Sequence, residues 1–217
     1  MTKPLVILGD SLFAEIAYEY FSQDSDYEVV GFSVEAEHLK RSSFMGLPVV
    51  PFEKIENYYL PQQHAFFAAV VYTQGNQLRE RLYHLAKIKG YRPASYISSK
   101  AFVWRNCQIG EHCFIFEDNT IQPFVKIGDN VVLWSGNHIG HHSIIDSHVF
   151  ISSHVVVSGN CYVGPRCFLG VNSTIINDIQ VGEDCLIAAG ATVFKNIPAN
   201  HLVLGENKLK KMEVEIL

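Results

Sequence analysis

Between residues 103 and 193 a branched aliphatic recurs at every sixth position: Val103, Ile109, Ile115, Ile121, Ile127, Leu133, Ile139, Ile145, Ile151, Val157, Val163, Leu169, Ile175, Val181, Ile187 and Val193. No insertion interrupts the series. Neither the 3.6-residue period of a helix nor the 2-residue period of a strand produces it. Four positions after each aliphatic the side chain tends to be small or β-branched, as at Cys107, Cys113, Val125, Val149, Cys161, Ser173 and Ala191. Three positions after it stand Asn106, Asp118, Asn130, Gly136, Asn160, Asn172 and Gly190, residue types that tolerate the left-handed backbone of a tight corner. Each hexapeptide therefore predicts one flat side and one corner. Three sides close a triangular coil of about 18 residues, and stacked coils make a parallel β-helix. Pro198 ends the repeat after about five coils.

Upstream the pattern changes. Residues 4–8 read as a buried parallel strand, Gly9-Asp10-Ser11 as a turn, residues 15–21 as a helix and residues 27–32 as a second strand. A strand, a glycine-led turn, a helix and a strand predict a Rossmann-like opening, with Ser11 and Ala14 where second and third glycines would stand. A strand over 46–50, a helix over 52–59, a strand over 66–72 and a helix over 77–89 capped by Gly90 follow. The expected fold is mixed: a Rossmann-like α/β domain over 1–97, a β-helix domain over 98–199 and a tail over 200–217.

Composition narrows the function classes. The net charge of −5 and the lack of a basic run argue against nucleic acid. Residues 1–8 lack a signal-peptide pattern and no apolar run is long enough to insert in a membrane, so a soluble cytoplasmic protein is expected. The five cysteines all fall in the small inward phase, where a thiol serves as a compact hydrophobe, and no zinc spacing is present; no metal is expected. Asn119 and Asn137 share that phase one coil apart and predict amides that satisfy each other. Asn137 has a second reading, shaping a site beside His138. Lys208, Lys210 and Lys211 form either a solvated face or a contact for cofactor phosphates.

Histidine is concentrated in Asn137-His138-Ile139-Gly140-His141-His142-Ser143, with His148 and His154 beyond. Exposure at a corner suffices to explain the last two. Consecutive His141 and His142 at one corner, with His138 on the side leading to it, suggest proton transfer near neutral pH. The turn at Gly9, Asp10 and Ser11 has two readings, a tight turn without a ligand or a helix N-terminus offering N–H groups to a phosphate.

On these residues the chain resembles the bacterial nucleotide-sugar acyltransferases of left-handed β-helix fold, the family that includes the bacillosamine-pathway N-acetyltransferase and sialic-acid O-acetyltransferases. The resemblance implies the left-handed coil sense, a homotrimer with each site between subunits, acetyl-CoA as co-substrate and a nucleotide-linked amino sugar as acceptor for surface glycan synthesis. It implies His141 as general base, with His142 where the family often has a carboxylate; Glu117 or Asp118 of another chain would supply the missing acid. A family histidine near the thioester falls on Phe150, flanked by His148 and His154. Gly159, Val171 and Ala189 match positions along the acetyl-CoA groove. Gly9, Asp10 and Ser11 match the phosphate turn, and Glu35 alone remains of the acidic stretch after the second strand. Asn137 and His138 fall on the acceptor side. The alternatives are sugar O-acetylation, a zinc hydratase resembling the γ-class carbonic anhydrases, which needs three histidine ligands, and a non-enzymatic sugar-nucleotide-binding scaffold.

Overall fold

The computed structural model describes residues 2–205 and 208–211, the last four by backbone alone, so the charges of Lys208, Lys210 and Lys211 lie outside the described residues. The chain divides into two units, Met1–Val71 with Leu78–Tyr96, and Tyr72–Gln77 with Ile97–Leu217. Among the described residues no helix is long and apolar enough to cross a membrane.

The first unit is built on β1 (Lys3–Leu8), α1 (Leu12–Gln23), β2 (Tyr27–Val34), β3 (Ser43–Phe44), β4 (Leu47–Pro51), β5 (Ala65–Ala68), α2 (Gln77–Ile88) and β6 (Arg92–Pro93). The sheet order is β3-β4-β2-β1-β5-β6. All neighbours are parallel except the β3–β4 hairpin. Leu5 to Leu8 are fully or almost fully buried, as the continuous apolar run requires of a central parallel strand. α1 buries Phe13, Ala14, Ala17 and Phe21, the stripe of an amphipathic helix.

Among the described residues two α-helices accompany this sheet, so the regular strand–helix alternation of a Rossmann-like domain is incomplete. Residues 52–59, expected as a helix, form a 3₁₀ segment, Phe52–Asn57, broken at Lys54. Phe52 and Ile55 are its buried residues, and a three-residue spacing suits three residues per turn better than 3.6. The strand expected over 66–72 ends at Ala68. Tyr72 instead belongs with the coils, where its ring packs on Phe168 at 4.3 Å and Phe150 at 5.6 Å. Asn76, buried and with φ 68°, donates from Nδ2 to the carbonyls of Arg166 and Cys167.

The coils follow the six-residue phase closely. Three stacks of two-residue parallel strands form three faces. One, the aromatic face, carries Phe114–Ile115, Val132–Leu133, Phe150–Ile151, Phe168–Leu169 and Leu186–Ile187. A histidine face carries Phe102–Val103, Thr120–Ile121, His138–Ile139, Val156–Val157, Thr174–Ile175 and Thr192–Val193. A polar face carries Gln108–Ile109, Lys126–Ile127, Ile144–Ile145, Tyr162–Val163 and Gln180–Val181. The register offset is 18 residues throughout, for example Thr120↔His138 and Ile121↔Ile139. The second residue of each strand points inward and joins one continuous aliphatic core with Cys113, Cys161, Cys167 and Cys185. From His112 to Gly190, every residue three past an inward aliphatic has positive φ, between 54° and 75°. Those are the three corners. Glycine one past the aliphatic has a different cause: a Cβ on Gly140 would lie 2.5 Å from the Ser158 carbonyl carbon of the next coil. Strand His201–Leu204 extends the aromatic face in parallel, and Lys208–Lys211 pairs antiparallel with it.

Asn119 and Asn137 are 0% and 1% exposed, but they do not pair with each other. Both donate from Nδ2 to the Trp134 carbonyl, at 2.8 Å and 2.5 Å. Asn137 Oδ1 accepts the Val155 N–H at 2.7 Å. Both Nδ2 donors are taken up by backbone carbonyls, while the buried Asn119 Oδ1 finds no partner among the described residues.

Candidate active site

The expected site residues fall into separate groups. In the first unit, Gly9 follows β1 with φ 123°, a backbone state glycine alone adopts readily. A Cβ there would approach the Ala69 carbonyl oxygen to 2.9 Å. The sheet order reverses at β1: β2 lies on one side and β5 on the other. Crevices outside the carboxyl ends of strands at such a reversal are where open α/β sheets hold ligands. Ser11 is the exposed N-cap of α1 and makes no side-chain capping bond. Asp10 is tied to Arg41, Nε to Oδ2 at 3.2 Å. Glu35 stands just past β2 and accepts a forked pair of bonds from Arg81, at 2.6 and 2.8 Å. That guanidinium holds the Glu35 carboxyl below the usual carboxylate range, against the opposing pull of partial burial.

In the coils, His138 lies on the histidine face, half-buried between Thr120 and Val156 of the adjacent coils. His141 and His142 occupy the corner between the histidine and polar faces, and both are exposed. His141 is fixed on three sides. Its backbone N–H donates to Gln122 Oε1 of the coil before, at 3.0 Å. Its ring lies over Gly159 of the coil after, where a Cβ would stand 2.7 Å from Cε1 and Nε2. Its Nδ1 is 3.1 Å from Nδ1 of His142, the two rings meeting edge to face at 85°. His142 has φ 61°, and its other flank stacks on Phe124, centroids 4.6 Å apart and rings inclined by 28°. His141 Nε2 has no hydrogen-bond partner among the described residues.

Of the expected groove residues, Gly159 is thus directly beneath His141. Val171 and Ala189 stack on each other at a different corner, between the aromatic and histidine faces, where the Gly190 N–H donates to the Val171 carbonyl. Glu117 shares that corner and accepts from Ser135 Oγ at 2.6 Å, and Asp118 sits there with φ 58°. Within one chain, neither acid borders the His141 corner. Asn137 faces the coil interior, its amide taken up by backbone.

Residues 142, 148 and 154 are six apart and occupy the three different corners, so these histidines do not converge within one chain. His148 instead bonds Asn130, which bonds the fully buried His112, both at 2.8 Å. Phe150 is buried under Tyr72. Beside His142 the polar face holds a shallow cavity of about 360 Å³ lined with Ile144, Asn160, Cys161, Tyr162, Asp178 and Gln180. Tyr162 donates to Asp146 Oδ2 at 2.9 Å; partial burial and that carboxylate push its phenol up to about 12.

Gln122 and Phe124 were not among the expected site residues. Their signal lies in stacking: residue 122 is one coil before 140, and 124 one coil before 142. Phe124 also breaks the corner composition, a phenyl ring where Asn, Asp, Gly and His prevail.

Comparison with known proteins agrees with this architecture. Residues 106–139, 124–159 and 160–195 match the model of the bacterial transferase hexapeptide, six repeats. The acetyltransferase domain of PglB from Neisseria gonorrhoeae FA1090 superposes with a TM-score of 0.85 at 22% identity, covering 97% of this chain and 100% of that one. PerB from Caulobacter crescentus, in complex with CoA and GDP-perosamine, superposes with a TM-score of 0.84 at 23% identity, covering 95% and 97%. WeeI from Acinetobacter baumannii AYE gives 0.63 at 17% identity, covering 95% and 99%. These likenesses show a shared fold over nearly the whole chain. In sequence, the bifunctional protein GlmU of Desulfitobacterium hafniense is 27% identical over 134 residues, 54% of this chain; the match spans 30% of that protein's length.

Proposed function

We propose that the chain is an acetyl-CoA-dependent N-acetyltransferase of nucleotide-linked amino sugars in surface glycan synthesis, with His141 as general base. The observation that carries this reading is the state of one imidazole. His141 is exposed, held at its backbone by Gln122, at its ring face by Gly159 and at Nδ1 by His142, with Nε2 unengaged. A proton on Nδ1, donated to His142, leaves the Nε2 lone pair open to a substrate. Imidazole is the side chain suited to that exchange near neutral pH.

The reaction then follows in balanced steps. The sugar amine nitrogen attacks the thioester carbonyl carbon of acetyl-CoA, and its proton passes to His141 Nε2. The tetrahedral adduct collapses, the C–S bond breaks, and the same proton goes to the leaving sulfur. The products are the acetamido sugar and free CoA thiol. A positioned base contributes about 10²–10⁴-fold, and alignment of the two substrates contributes more. His142 is a neutral acceptor in this scheme and stabilises an imidazolium less than a carboxylate would; Glu117 or Asp118 of a neighbouring copy would supply that charge.

A left-handed homotrimer suits the placement of the remaining residues. Val171 and Ala189 lie at another corner from His141, so a groove bordered by all three calls for a second copy. Phe102 on the histidine face and Phe194, just past its last strand, are 53% and 61% exposed in the single chain, apolar surface of the kind that marks an interface. In the first unit, Gly9, Asp10 and Ser11 take the nucleotide phosphates at the α1 N-terminus, and Glu35 faces the nucleoside. PerB, with CoA and GDP-perosamine bound, supports the pairing of co-substrates. We place the protein in the cytoplasm, with the acetyl-CoA pool.

The test is release of CoA thiol from acetyl-CoA against UDP-, dTDP- and GDP-linked amino sugars. The expected result is turnover with one nucleotide class and a product bearing an amide. Transfer only to a hydroxyl would replace N- with O-acetylation, and no thiol release with any acceptor would overturn the reading.

A further inference from the structure

Among the left-handed corner positions from 112 to 190, all but two are Gly, Asn, Asp or His, the types that accept positive φ with least strain. The exceptions are Phe124 and Arg166, with φ 66° and 59°. Arg166 has an evident return for its strained backbone: it grips Asp184, one coil on, through Nε and Nη2, each at 2.7 Å. Phe124 has no such polar bond, and it is 54% exposed, so core burial does not explain it either. What it touches one coil on is His142, ring on ring. Its own corner is pinned independently, the Phe124 N–H donating to Asn106 Oδ1 at 3.0 Å. A bulky residue kept in an unfavourable backbone state with its ring stacked on an imidazole of the candidate site points to a functional reason for the strain.

We propose that Phe124 is a positioning residue for the His141–His142 pair: its ring fixes the His142 imidazole so that His142 Nδ1 accepts the proton of His141 Nδ1–H, which keeps His141 Nε2 unprotonated. The proposal deepens the reading of His141 as general base and rests on it. His142 sits on an exposed corner, where an unheld ring rotates freely. The 3.1 Å contact between the two Nδ1 atoms holds a single proton, and which ring carries it decides whether Nε2 of His141 is base or donor. Free imidazole prefers the proton on Nε2, the wrong tautomer for the task. Stacking that orients His142 therefore acts through His141 on the reaction without touching substrate. The titratable groups facing the pair are each other, with Cys161, Tyr162 and Asp178 around the cavity that His142 borders.

The test is Phe124→Asn in the full chain. Asparagine suits the corner, so the fold and the Asn106 bond to the backbone are expected to persist, checked by the thermal midpoint. Imidazole ¹⁵N shifts, assigned with His141→Gln, are expected to move His141 from the Nδ1–H form toward Nε2–H. With an accepted acceptor, kcat is expected to fall about tenfold, a fraction of the ~10²–10⁴-fold that a positioned base contributes, with KM for acetyl-CoA unchanged, and Phe124→Tyr, which keeps the ring, is expected to restore both readouts. Unchanged ¹⁵N shifts in Phe124→Asn would overturn the proposal, as would a His141 already in the Nε2–H form in the unmodified protein. The shifts are read without turnover, so a wild-type protein that transfers to no acceptor would sink the acetyltransferase reading while the tautomer result still decides the role of Phe124.

Discussion

The coils and the N-terminal unit solve the same problem, burying apolar surface around hydrogen-bonded strands, by opposite means. In the coils a residue's place follows from its position in the six-residue phase: Ile139, Ile145 and Ile151 are all 0% exposed because each is the inward member of its strand. In the N-terminal unit each position is settled by its own neighbours, as when Arg81 takes Glu35 or Arg41 takes Asp10. A regular scaffold makes its exceptions conspicuous. An exposed pair of histidines, an aromatic at a left-handed corner and two asparagines among inward aliphatics all stand out against the coil phase. No equivalent background exists upstream, where a Gly-Asp-Ser turn reads equally as a turn or as a phosphate site.

The strongest way to break the comparison is to remove an inward aliphatic. Ile151→Ala leaves a cavity in a mid-coil layer and is expected to cost about 2–5 kcal/mol, measured by denaturant unfolding. A cost below about 1 kcal/mol would mean that the layer relaxes and that the phase is less binding than it looks. Next in size is Asn137→Ala. It strands the buried Val155 N–H and withdraws one of the two donors on the Trp134 carbonyl, for about 1–3 kcal/mol. Because its amide is already committed to backbone, the acceptor KM of the folded variant is expected to stay unchanged; a raised KM would return Asn137 to the substrate.

The smallest effect lies in the N-terminal unit. The Glu35 carboxyl is held down first by its bond with Arg81, so its folded pKa lies below its unfolded one. Its contribution is therefore present above the unfolded glutamate range, near pH 4.3, and is lost as pH falls toward the depressed folded value. Arg81 is 47% exposed at its side chain, and screening keeps the pair below about 1 kcal/mol. Arg81→Ala is expected to raise the Glu35 titration midpoint, read by carboxyl ¹³C shifts, while barely moving the unfolding midpoint at neutral pH.

Legibility followed the same divide. Every corner from 112 to 190 was implied by the phase, including those whose residue types gave no hint, such as Phe124 and Arg166. The mutual pairing expected of Asn119 and Asn137 failed because phase gives direction and not partner, and both amides donate to the Trp134 carbonyl instead. Upstream, Tyr72 read as the end of a strand on hydrophobicity alone; its real contacts, Phe150 and Phe168, are far along the chain and leave no local trace. The short segment at Phe52 was too brief for a helical period to be told from a 3₁₀ one. At the candidate site, His141 and His142 were visible as residues at one corner and Gly159 only through the family resemblance; the approach of Gly159 to the His141 ring is consistent with the 18-residue coil. The Gln122 bond and the Phe124 stack required coordinates.

The proposed chemistry depends on the base role of His141, the imidazole that the coil sets at an outer corner. It is tested most directly by comparing His141→Ala with the unaltered chain for thiol release with an accepted nucleotide-linked amino sugar, alongside acetyl-CoA affinity and the unfolding midpoint. The account predicts a rate lower by about 10²–10⁴-fold with affinity and midpoint preserved, since the side chain is exposed and outside the core. Equal turnover in the two proteins would contradict it.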